Sequence, residues 1–205
     1  MICFYSKMGK FLGLFIFLLF IHLAFIAQSY CWDIKDRNEY LFDARGDDGD
    51  LLLNRVSIHD RIKRHELEVS FFAEAQWNIE TSEWEKITSG GEIGKYLHKW
   101  LYIGQSIQFI SGEMLDYMVF DADSNSIDST TTFALDIPLA KNLSIYMFEQ
   151  YATNLEKGRG EYCETGIGLN YDIKDSCSVG FGWRHTDRIH NLDTDYVSTS
   201  LTLDF

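Results

Sequence analysis

From residue 66 onward, apolar and polar side chains alternate with a period of two. In "LEVSFFAEAQWNIE" one parity carries Leu67, Val69, Phe71, Ala73, Ala75, Trp77 and Ile79, and the other Glu68, Ser70, Phe72, Glu74, Gln76, Asn78 and Glu80. Successive side chains of a β-strand point to opposite faces, so this stretch predicts a strand with one apolar and one polar face. The chain closes the same way: Val197, Thr199, Leu201, Leu203 and Phe205 oppose Tyr196, Ser198, Ser200, Thr202 and Asp204. Six further segments of similar length lie between these two: "KITSGGEIGKYL", "WLYIGQSIQFIS", "STTTFALDIP", "LSIYMFEQYAT", "EYCETGIGLNYDI" and "CSVGFGWRHTDR".

The links between segments alternate in length. "YLHKW", "PLAKN" and "DIKDS" are tight turns, whereas "TSEWE", "GEMLDYMVFDADSNSID", "NLEKGRG" and "IHNLD" are on the whole longer and polar. Short turns at one end and longer loops at the other predict an all-β, closed antiparallel up-and-down barrel, with strands long enough to cross a bilayer when tilted. The count favoured by the segments is eight strands over 66–205. Residues 30–65 are left as a periplasmic extension, a lumen plug or extra strand. The alternative is ten strands, with "LLLNRVSIH" and "MLDYMVFD" each forming one.

The N-terminus adds a compartment. Lys7 and Lys10 precede an apolar run from Phe11 to Ala27 broken only by His22, and Ala27-Gln28-Ser29 follows. That order predicts a secretory signal peptide over 1–29. The chain has 18 Lys and Arg against 31 Asp and Glu, a net charge of −13, and loss of Lys7 and Lys10 would make it −15. So acidic a surface excludes nucleic acid as a partner. Three cysteines would remain, Cys31, Cys163 and Cys177. Cys163 and Cys177 fall near opposite ends of neighbouring strands, beyond the reach of a disulfide.

An alternating last strand with a terminal aromatic, "YVSTSLTLDF", resembles the assembly signal of Gram-negative outer-membrane β-barrel proteins. The resemblance implies an outer-membrane location, contact with lipid and lipopolysaccharide, and delivery by the barrel-assembly machinery through Phe205. In that setting lipid covers the apolar parity, Trp77, Phe109 and Trp183 form an aromatic girdle towards the loops, and Tyr171 and Phe205 form one towards the turns. The polar parity then lines the lumen with Glu68, Glu74, Gln76, Glu92, Tyr102, Gln108, Asp136, Gln150, Glu164, Arg184 and Arg188. Buried charges must be paired, so Glu74, Glu92, Glu164, Arg184 and Arg188 are expected to form a network with Arg184 as its central cation and with acids in excess. Inward glycines of "GIGLN" and "VGFGW" relieve crowding.

The segment "HTDRIHNLD" carries the candidate chemistry. A hairpin centred near Asn191 sets Asp187 opposite Asp195 and His185 opposite Val197. Two facing carboxylates invite a cation, so Asp187, His190 and Asp195 are candidate ligands for Ca²⁺ or Mg²⁺. An outward histidine near the outer rim also resembles lipid A 3-O-deacylases, small barrels with a His-x-Ser pair. That makes His185 a candidate catalytic residue, but the triplet here is His185-Thr186-Asp187 and lacks the serine nucleophile. The sequence therefore favours a structural or surface-binding outer-membrane barrel. A narrow, porin-like channel is the alternative, favoured if ten strands enclose an open lumen, and a lipid A-modifying hydrolase is the second alternative.

Overall fold

The computed structural model describes residues 32–46, 49–62, 67–111, 125–188 and 193–205. The expected signal peptide, the alternative strand "MLDYMVFD", most of the acidic loop around it, and His190 lie outside them. Ten strands are present: β1 (Asp33–Asp43), β2 (Leu51–Ile62), β3 (Leu67–Asn78), β4 (Glu83–His98), β5 (Leu101–Ser111), β6 (Asn125–Ala140), β7 (Leu143–Asn154), β8 (Arg159–Lys174), β9 (Cys177–Arg188) and β10 (Thr194–Asp204). Each pairs antiparallel with its neighbours in sequence, and β1 pairs with β10 to close the barrel.

The barrel therefore has ten strands, which corrects the count of eight. Both additional strands come from 30–65. "LLLNRVSIH" supplies most of β2, and the unforeseen partner is "DIKDRNEYLFD", which forms β1. Closure explains why this segment is drawn in. A strand edge leaves a row of N–H and C=O groups unpaired, which a closed barrel abolishes. β1 meets β10 from Lys35 opposite Asp204 to Asp43 opposite Tyr196. The ladder runs to the chain end, where the Phe205 amide donates to the Ile34 carbonyl at 2.8 Å.

Pleating then sorts side chains by parity. Phe71, Ile93, Ile107, Phe133, Ile167, Phe181, Trp183 and Leu201 stand on the outside, each at least 40% exposed. The polar parity turns inward, with Glu39, Ser57, Ser70, Thr88, Gln108, Asp128, Thr130 and Ser198 all buried. Such a surface is inside-out relative to a soluble barrel. Inward glycines make room for lumen aromatics: a Cβ on Gly182 would lie 2.3 Å from the Tyr146 hydroxyl and 2.6 Å from the Ile167 carbonyl oxygen. The described tight turns, β4–β5, β6–β7 and β8–β9, lie at one rim, the links β3–β4 and β7–β8 lie at the other, and the lumen runs between them.

Candidate functional site

The eleven lumen residues expected from the sequence, Glu68 through Arg188, each line one of two cavities within the barrel. The larger, of about 410 Å³, begins at the loop end among Leu41, Leu51, Thr194 and Tyr196 and extends past Arg184 to Tyr146 and Asn170. The smaller, of about 240 Å³, lies at the turn end among Lys35, His59, Glu68, Glu92, Tyr96 and Tyr102. They abut at Arg55, Ala134, Leu135 and Asp136, which line both.

Arg184, near the loop end of β9, is the best-partnered cation of the larger cavity. Its Nε donates to Glu164 at 2.6 Å, its Nη2 is also paired with Glu164, and its Nη1 donates to Glu39 at 3.0 Å. Glu39 is buried and also meets Arg37 at 3.2 Å. The guanidinium lies 5.4 Å from the Phe148 ring centroid. Of the other network residues, Glu74 faces Arg55 at 3.7 Å, Glu92 accepts from the Tyr102 hydroxyl, and Arg188 lines the cavity nearer the rim. Arg55 also sits over the Phe72 ring, 4.0 Å from its centroid.

The larger cavity taken alone is close to charge balance, whereas the smaller one holds Glu68, Glu92 and Asp136 against Lys35 and Arg55. Five cations, Arg37, Arg55, Lys86, Arg184 and Arg188, line the larger cavity against four acids, Glu39, Glu74, Asp136 and Glu164. Arg37, Glu39 and Arg55 belong to the two strands that the eight-strand count left out, and Lys86 follows the bulge between Gln76 and Trp77. The lumen also holds an apolar cluster, Leu41, Leu51, Leu53 and Tyr196, on the strands flanking the β1 seam.

The last hairpin differs from expectation by two residues of register. Asp195 pairs with His185, and Val197 with Trp183. This register keeps one carboxylate from facing another: Asp195 is bound by Arg45, and its Oδ1 lies 2.9 Å from His185 Nδ1. The His185 ring stacks on Trp183 at 5.7 Å. Asp187 lies beyond the last β9–β10 pair, Thr186 with Thr194, and on its other side is opposite Cys163 of β8. Among the described residues no group of three or more His, Cys, Asp or Glu side chains is placed to hold a metal ion.

The same hairpin bears on acyl transfer. Thr186 lines the lumen, on the face opposite His185, so the two do not form a nucleophile–base pair. A second array has the right residue types: the Ser57 hydroxyl lies 2.7 Å from His59 Nε2, and His59 Nδ1 lies 3.3 Å from Glu68. A nucleophile must also reach its substrate, and Ser57 is 5% exposed and lines neither cavity. The array is read as wall packing at the turn end.

No family model matches the chain, and no curated protein does. Among solved structures, the chain is similar to the NanC porin at 8% identity and a TM-score of 0.47, covering 83% of this chain and 98% of that one. It is similar to the KdgM porin at 9% identity and 0.46, covering 84% and 98%. To outer-membrane expressed OmpT of Vibrio cholerae it is similar at 10% identity and 0.40, covering 82% and 64%.

Proposed function

We propose that this chain is an outer-membrane β-barrel whose lumen is a narrow, water-filled channel for small ions and solutes. The observation that carries this reading is the pair of abutting cavities inside a wall that is apolar outside and ionic within. Ten strands leave space that eight would fill with side chains. Cations and anions nearly balance along the larger cavity, so charge discrimination is weak.

In planar bilayers the folded protein is expected to give discrete conductance steps, with a reversal potential close to zero in a KCl gradient. A barrel that migrates as folded on unboiled SDS gels yet conducts nothing overturns the channel reading. Bilayer placement has its own test. Phe181, 59% exposed midway along β9, faces hydrocarbon in this reading. Phe181→Arg is expected to cost about 2–4 kcal/mol of folding stability in lipid vesicles, whereas Gln150→Lys in the lumen costs less than about 1 kcal/mol. Equal costs for the two count against hydrocarbon on the outer face.

A further inference from the structure

The outer face of β5 and β6 carries a polar patch where hydrocarbon contact is expected. The Gln105 amide donates to the Ser129 hydroxyl at 2.7 Å, and the Thr131 hydroxyl donates to the Gln105 carbonyl oxygen at 2.7 Å. All three share the outward parity of Ile107 and Phe133, and Tyr151 stands beside Thr131 on β7. The patch is not at a rim. Exposed Ile107 and Ile127 lie on its loop side, and exposed Phe133 and Ile137 on its turn side. Lipid headgroups therefore do not reach it, and hydrocarbon offers its remaining hydrogen-bonding groups no partner.

We infer that this face is an interface between two copies of the chain, related by a two-fold axis along the bilayer normal. Copies inserted in the same direction hold the same residue at the same depth, so a two-fold contact sets Gln105 near Gln105 of the second copy. A primary amide has two donors and an acceptor and pairs with another amide. Gln105 keeps a second N–H after its bond to Ser129, and Ser129 keeps its own hydroxyl proton, so the patch is complementary to itself.

Two other polar sites lie on the outer face: Asn54 donates to Asp36 and Asn38, each at 2.9 Å, and Glu149 stands exposed on β7 opposite Phe133. A two-fold contact centred on either would set a carboxylate, Asp36 or Glu149, against its own copy in hydrocarbon, which disfavours both. The inference rests on bilayer placement, as the channel reading does, but not on conduction.

The test uses protein in lipid with all native cysteines replaced. Under mild oxidation Ile107→Cys, the next outward position of β5, is expected to form a disulfide-linked dimer, and Leu201→Cys, on β10 across the barrel, is not. Absence of dimer at Ile107→Cys, or an equal yield at Leu201→Cys, overturns the inference. In the wild-type background Gln105→Leu with Ser129→Ala and Thr131→Val is expected to weaken the dimer about tenfold, with unboiled gel migration unchanged. An unchanged dimer fraction in that folded variant overturns it as well. Loss of folded migration in the wild-type protein would instead count against the outer-membrane barrel itself.

Discussion

Replacing Arg184 by Met is expected to lower barrel stability by about 3 kcal/mol, the low end for breaking a buried ion pair, because lumen water softens the loss. Arg184 meets Glu164 from β8 and Glu39 from β1, so it ties β9 to strands on both of its sides. Without it Glu164 keeps no cation among the ion pairs described, and Glu39, 4% exposed, keeps only Arg37. An uncompensated carboxylate, more than the lost attraction, carries the cost. Adding Glu39→Gln and Glu164→Gln is therefore expected to restore most of the stability. Arg37→Ala should cost less than Arg184→Met, since the Arg37 side chain is 38% exposed and Arg184 still holds Glu39. The measurement is the temperature at which the SDS-resistant folded band is lost. An Arg184→Met band as heat-resistant as wild type would show that the pairs are incidental to the barrel.

The residues of that cluster also show which parts of the molecule were legible in sequence. Glu164 and Arg184 sit on strands whose two faces separate cleanly into apolar and polar, so parity alone turns them inward. Glu39 and Arg37 were hidden because β1 has no such separation. Its outward row reads Ile34, Asp36, Asn38, Tyr40 and Phe42, with polar groups in the middle, and its inward row includes Leu41. β2 breaks the rule in the same way, with Leu51 and Leu53 in the lumen and Asn54 outside. The sites where alternation fails are specific ones: an apolar cluster inside the lumen and a hydrogen-bonded polar cluster on the outer wall. Register in the last hairpin was hidden for another reason. A shift of two residues preserves every parity, so periodicity is blind to it, and the choice was made by Arg45 reaching Asp195 from beyond the end of β1.

Arg55 is one of the residues recovered with β2, and under the proposed channel function its removal is the change expected to alter conduction most. The two cavities meet at its side chain, which is held between the Glu74 carboxylate and the face of Phe72. A solute passing from one cavity to the other must pass this side chain, so Arg55→Ala is expected to raise single-channel conductance roughly twofold or more. It also removes one cation of the five on the larger cavity and leaves Glu74 without its ion-pair partner, which tips the lumen towards acid. The reversal potential in a KCl gradient should therefore move towards cation selectivity. Stability should fall less than for Arg184→Met, because the Arg55 side chain is 35% exposed, it meets a single carboxylate at 3.7 Å, and its cation–π contact is worth about 1 kcal/mol or less. Arg55→Lys keeps the charge and most of the length and should stay near wild type in selectivity. Unaltered conductance and unaltered selectivity in folded Arg55→Ala would mean that solutes do not cross the junction of the two cavities.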